Sequence, residues 1–114
     1  MNDMTHPLPK GAPEKIAIAA VLANATEELG QLARLAGRLD EALGDWILSN
    51  PGAPRPPLDL LQNADLLRQS IECFERLFRN LTAEDLSTSD ISSSALVRGV
   101  FLESIRVSCL RPAV

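Results

Sequence analysis

Two residues have types and a spacing that could support chemistry. Asp65 and Gln69 stand four positions apart in the segment Asp65-Leu66-Leu67-Arg68-Gln69. On a helix, residues at this interval project from the same side, one turn apart. A carboxylate and an amide held together in this way can accept a cation and orient a water molecule. The alternative interpretation is that both are ordinary polar residues on a solvated helix face.

The other chemically active side chains give no further site. Glu27, Glu28, Asp40 and Glu41 fall on the polar face of a predicted helix, whereas acid–base catalysis needs carboxylates in a cleft with separated pKa values. We therefore interpret them as surface charges. The only histidine, His6, lies in a proline-rich leader, which leaves little material for histidine-based catalysis or metal binding.

The two cysteines, Cys73 and Cys109, lack the close spacing of a zinc site or a disulfide framework. We expect two reduced thiols, no metal and no cofactor. We also find no glycine-rich phosphate loop and no nucleophile or zinc-protease motif.

The elements that must carry these residues are helices. Apolar residues alternate at intervals of four and three over a first helix predicted from about Glu14 to Ser49, the spacing of a heptad seam. The seam comprises Ile18, Leu22, Ala25, Leu29, Leu32, Ala36, Leu39, Leu43 and Trp46. Further apolar residues widen it, so the helix should face more than one partner helix. Gly30, Gly37 and Gly44 recur every seven residues, which indicates close backbone approach along one side.

A proline-rich bend and a second helix follow. The segment Asn50–Pro57 contains four prolines and a glycine, which end a helix and can turn the chain back. The second helix is predicted at Leu58–Leu81. Its heptad seam comprises Leu60, Ala64, Leu67, Ile71, Phe74, Phe78 and Leu81. The two helices should form a long hairpin with two open seams, which predicts pairing with a second copy into a four-helix-type bundle.

A third helix is predicted at Ala95–Leu110, after a polar loop. It is apolar almost all round, so it should be buried on most sides or cover a partner protein. The partner-binding residues predicted on it are Val97, Phe101, Leu102 and Ile105. Residues 1–13 are predicted to be a flexible arm, and residues 14–114 a single all-α helical-bundle domain.

The Asp65-x-x-x-Gln69 pattern on the second helix of such a hairpin resembles the signature of the CheZ family of chemotaxis phosphatases. The resemblance implies a helical hairpin that dimerises into a four-helix bundle, with a response regulator as its partner. It also implies that Gln69 positions the attacking water and that Asp65 pairs with the regulator's lysine. The chain is shorter than members of that family, and its C-terminal segment is apolar.

Composition narrows the functional classes. The chain has 114 residues, 46% hydrophobic and 23% charged, with a net charge of −4. Nucleic-acid binding needs a concentrated basic face, and the sequence shows none, so we expect no nucleic-acid partner. No apolar run is long enough to span a membrane and no signal peptide is visible, so we expect a cytoplasmic protein.

The leading hypothesis is a non-enzymatic interaction or regulatory protein that forms a homodimer. The first alternative is a CheZ-like phosphatase acting through Asp65 and Gln69. The second is a membrane-surface binder that uses the predicted helix 95–110, with Arg98 and Arg106 toward anionic lipid.

Overall fold

The computed structural model describes residues 7–52 and 55–112. Its elements, in chain order, are β1 (Lys15–Ala17), α1 (Ile18–Ser49), α2 (Leu58–Thr82), β2 (Asp90–Ser92), α3 (Ser93–Leu96) and α4 (Glu103–Cys109). The prediction of a mostly helical fold is confirmed. The stricter all-α prediction is wrong, because two short strands pair in the described chain.

The long hairpin is present. Helices α1 and α2 pack together, and the bend between them includes a turn at Gly52, whose φ of 84° favours glycine. The predicted helix boundaries hold to within one residue, except that α1 begins at Ile18 instead of near Glu14.

The displaced start of α1 results from strand pairing. Residues 15–17 are extended and pair antiparallel with residues 90–92, with Ile16 opposite Ile91. Both isoleucines are buried. Their contact favours the extended conformation over one more helical turn, and three-residue strands are too short for a periodic pattern to reveal. The same pairing corrects the prediction of a polar loop before the third helix, because residues 90–92 of that loop form β2.

The predicted single helix over 95–110 is also wrong. The segment forms two short helices, α3 and α4, separated by a turn at Gly99, whose φ is 79°. The amide of Val100 donates to the carbonyl of Val97 at 2.9 Å across this turn. A β-carbon on Gly99 would lie 2.7 Å from Nε of Arg76, so this position combines a left-handed backbone with a close approach.

The core occupies the end of the hairpin opposite the bend, hereafter the base. It comprises Ile16, Ala20, Val21, Ala25, Cys73, Phe74, Leu77, Leu81, Ile91, Leu96, Val97, Val100, Ile105, Cys109 and Leu110. Asn24 on α1 donates to the backbone oxygens of Cys109 and Arg111, at 3.2 and 2.9 Å. Asn80 on α2 donates to two backbone oxygens at the end of α3, at 2.7 and 2.8 Å. The hairpin thus caps the short helices and fixes them to its base.

Part of the predicted flexible arm is described, and it makes contacts with the rest of the chain. Residues 7–13 lie against the base, with Leu8 and Ala12 packed on the core. The buried guanidinium of Arg106 donates to the carbonyl of Pro7. Residues 1–6, including His6, lie outside the described residues.

Candidate functional site

One face of the hairpin base is covered by the C-terminal segment. Ser108 on α4 donates to Glu28 at 2.8 Å, and Arg111 pairs with Glu27 at 2.7 Å. The two glutamates therefore hold α4 and the residues after it, which corrects their interpretation as simple surface charges. Asp40, from the same predicted set, is exposed.

The opposite face of the hairpin is apolar and exposed. We define the open hairpin face by six large side chains that are 39 to 55% exposed: Leu22, Leu29, Leu43, Ile47, Leu61 and Ile71. No element of the described chain covers them. Singly exposed leucines are common in proteins, whereas an aligned set of six is unusual, so this face is a candidate interaction surface.

These six side chains lie on the same side of the hairpin. Near the bend, an apolar groove of about 120 Å³ is lined by Leu39, Leu43, Pro56, Leu60, Leu61 and Ala64. Leu43 and Leu61 therefore meet at one groove. Leu22 and Leu29 precede Leu43 by whole heptads, and Ile71 follows Ala64 by one heptad, so they continue the same side toward the base.

The open side of the hairpin is apolar along α1, whereas the other side of the hairpin is polar. The stripe on the open side reads Leu22, Thr26, Leu29, Ala33, Ala36, Asp40, Leu43 and Ile47, at intervals of four and three, with one charge. Between the base and the bend, the other side of the hairpin presents exposed Gln31, Arg38, Asp45, Asp59 and Asn63. In the sequence, the extra apolar surface of α1 was visible as a widened seam. The sequence did not show which part of that seam stays uncovered.

The three glycines of α1 have no close neighbour within the described chain. A β-carbon on Gly37 or Gly44 would meet no atom within 4 Å, and one on Gly30 would meet only Arg34, at 3.8 Å. The predicted close backbone approach is therefore not made among the described residues, and open space remains beside the stripe.

The structure brings Asp65 and Gln69 together, as their spacing predicts. The Gln69 amide donates to Asp65 Oδ2 at 2.6 Å, and Arg68 pairs with Oδ1 at 2.8 Å. Arg68 also reaches Glu72 at 2.5 Å. The hydrogen bonds from Arg68 and then Gln69 hold the pKa of Asp65 below its usual value.

This pair has a defined chemical capacity. Asp65 remains a carboxylate throughout the neutral range and can accept a cation, and Gln69 carries an amide that can bind water. In this conformation the two side chains are hydrogen-bonded to each other. A substrate or partner would therefore have to replace the Asp65–Gln69 hydrogen bond with contacts of its own.

Of the predicted partner-binding residues in the C-terminal segment, some are exposed and others are buried. Phe101 is 44% exposed and Leu102 is half-buried, whereas Val97 and Ile105 lie in the core. Val97 and Ile105 therefore stabilise the fold and are not available to a partner. Because this segment is not one helix, its apolar residues cannot present a continuous helical surface.

The membrane-surface alternative loses its basis in the same segment. Arg106 is 1% exposed and donates to backbone oxygens, so it cannot face lipid headgroups. An interfacial helix needs a continuous basic face, and α3 and α4 are short and separated by the Gly99 turn. Among residues 7–52 and 55–112, no helix is both long and apolar enough to cross a bilayer.

Both thiols are free and buried. Burial raises the pKa of Cys109 to about 12, with a smaller contribution from Glu28. A thiol with that pKa is almost entirely protonated near neutral pH and is a poor nucleophile. Within the described residues, no group of three or more His, Cys, Asp or Glu side chains is arranged to hold a metal ion.

Comparison with family models, with curated proteins and with solved structures finds no match for this chain.

Proposed function

We propose that this protein is a non-enzymatic interaction or regulatory protein that works as a homodimer. Two hairpins pair through their open hairpin faces and form a four-helix bundle. The observation that supports this most directly is the aligned set of six exposed apolar side chains, which no described element covers. Water contact along that face costs free energy in the isolated chain, and pairing removes it.

The dimensions of the face fit a dimer of ordinary size. From Leu22 to Ile47, α1 extends roughly 38 Å at 1.5 Å per residue. Two packed helices present a width of about 20 Å. The resulting area, roughly 800 Å² on each copy, is that of a standard stable interface.

The test is the solution mass of the full chain, measured by light scattering. We expect the wild type to have the mass of a dimer at micromolar concentration. The double variant Leu29→Glu/Leu43→Glu should have the mass of a monomer, because each buried carboxylate would lose its hydration inside the interface. Its helical circular dichroism should be retained, since neither side chain belongs to the core.

A matched control places the same new charges on the other side of the hairpin. Gln31→Glu/Asn63→Glu adds two carboxylates at exposed positions and should leave the dimer intact. A monomeric wild type, or a dimer that survives in the Leu29→Glu/Leu43→Glu variant, would contradict the proposed function.

A second candidate function rests on the Asp65–Gln69 pair. We propose, as the alternative, a CheZ-like phosphatase that accelerates loss of phosphate from a phosphorylated response regulator. Support comes from the hydrogen bond that holds the exposed Asp65 and the half-buried Gln69 together and from the ionised state of Asp65. Gln69 lies nine residues, or half a rotation, from the inward-facing Leu60, so dimerisation through the open hairpin face leaves Gln69 at the outer edge.

Gln69→Ala tests this alternative. If Gln69 orients the attacking water, its loss should slow phospho-aspartate hydrolysis by about 100-fold, as measured by decay of a phosphorylated regulator with the protein added. The matched control is Gln62→Ala, an exposed glutamine on the same helix, which should change nothing. Absence of any acceleration by the wild type across a panel of response regulators would rule out this function.

A further inference from the structure

The two helices make unequal contributions to the open hairpin face. On α1 the stripe from Leu22 to Ile47 is apolar over its whole length apart from Thr26 and Asp40. On α2 the exposed apolar residues of this side are Leu61 and Ala64 near the bend and Ile71 among charges. Toward the base, the half-buried Phe78 lies beside Glu75 and Arg79. The α2 charges toward the base are Arg68, Glu72, Glu75 and Arg79, joined in ion pairs among themselves and with Asp65. Within the described residues, α1 therefore offers the more continuous apolar surface from the base to the bend.

Twofold symmetry allows two ways to press one such face against another. If the axis runs along the hairpins, the hairpins are parallel and each α1 lies on the α2 of the second copy. If the axis runs across the hairpins, they are antiparallel, and α1 lies on α1 while α2 lies on α2. The different polarity of the α1 stripe and of the α2 surface beside it distinguishes these two arrangements.

The parallel arrangement places unlike surfaces together at the base. Leu43 and Leu61 are level with each other at the groove. Two heptads closer to the base on each helix lie Leu29 and Glu75. A parallel dimer would therefore press Leu29 of one copy against Glu75 of the other, and would bury the Glu75–Arg79 ion pair against leucine.

The antiparallel arrangement joins like surfaces. The apolar stripe of α1 meets the same stripe of the second copy, and the charged part of α2 meets α2, where opposite charges can pair across the dimer. The glycines add a steric reason: Gly37 and Gly44 leave open space beside the stripe. With the twofold axis near Ala33, Leu29 and Leu22 of one copy come level with Gly37 and Gly44 of the other.

We infer that the occupant of the open hairpin face is a second copy of this chain in antiparallel orientation, with α1 packed on α1 around Ala33. This inference rests on the proposed homodimer and adds its geometry. The bend of each copy then lies beside the base of the other, and the Asp65–Gln69 pairs remain on the outer edges of the bundle.

The test is a distance between spin labels attached at Ser49→Cys, at the exposed end of α1. Ser49 lies sixteen residues from Ala33, so the antiparallel dimer predicts Cα atoms roughly 48 Å apart. The parallel dimer puts both labels at one end of the bundle, roughly 20 Å apart. The native cysteines are buried, and labelling of the wild type should be negligible.

A second variant gives an independent measurement on the same dimer. Ala33→Cys should form a disulfide between copies under mild oxidation, because both residues lie at the axis. A short distance from Ser49→Cys, with no Ala33→Cys crosslink and a dimer mass, would overturn the orientation and leave the homodimer intact. A monomer mass, with no distance signal, would refute the proposed function itself.

Discussion

Arg106→Ala is expected to lower the free energy of unfolding by about 3 kcal/mol. The Arg106 guanidinium is buried, donates to the carbonyls of Val100 and Pro7, and lies 3.6 Å from a carboxylate oxygen of Glu103. Alanine would leave the two carbonyls without this donor and a cavity in place of the side chain. Urea denaturation, followed by circular dichroism, measures the change.

Two further variants distinguish the loss of the buried Arg106 contacts from the removal of any arginine. Arg98→Ala removes an exposed arginine of the same segment and should change the unfolding free energy by less than about 0.5 kcal/mol. Arg106→Lys keeps the charge but not the planar fork, and should fall between wild type and alanine. An Arg106→Ala variant as stable as Arg98→Ala would show that the contact with Pro7 does not hold residues 7–13 in place.

Leu77→Ala is expected to reduce stability by a similar amount, about 2 to 5 kcal/mol. Leu77 is fully buried at the centre of the base, where α2 packs against the C-terminal segment. Truncation removes apolar burial and leaves a cavity that neighbouring helices fill only in part. The same urea experiment measures the loss of stability.

Leu48→Ala provides the matched control. Leu48 is also a leucine in a long helix, but it is 83% exposed near the bend. Its truncation should change the unfolding free energy by less than about 0.5 kcal/mol. Equal effects at Leu77 and Leu48 would mean that the core does not lie at the base of the hairpin.

The sequence alone predicted the hairpin and the position of Asp65 and Gln69 on one side of α2. Heptad spacing and helix-ending prolines are local features, so α1, the bend and α2 could be read from neighbouring residues. The contact between Asp65 and Gln69 is equally local, since one helical turn is enough to bring them together.

The C-terminal segment could not be predicted in the same way. Its apolar composition favoured one helix over 95–110, but Gly99 and the packing of Val97 and Ile105 into the base divide it. The pairing of Ile16 with Ile91 and the burial of Arg106 also depend on residues far apart in the chain. Local periodicity contains no information about such contacts.

The same distinction applies to the candidate interaction surface. The sequence determined that α1 carries more apolar surface than one partner helix can cover. Only the tertiary structure decided that the C-terminal segment covers the side of Asn24 and Glu28, which leaves Leu22 and Leu29 exposed. The physical reason is that a helix fixes which residues share a face, whereas the choice of face to cover depends on the total burial and hydrogen bonding of the whole chain.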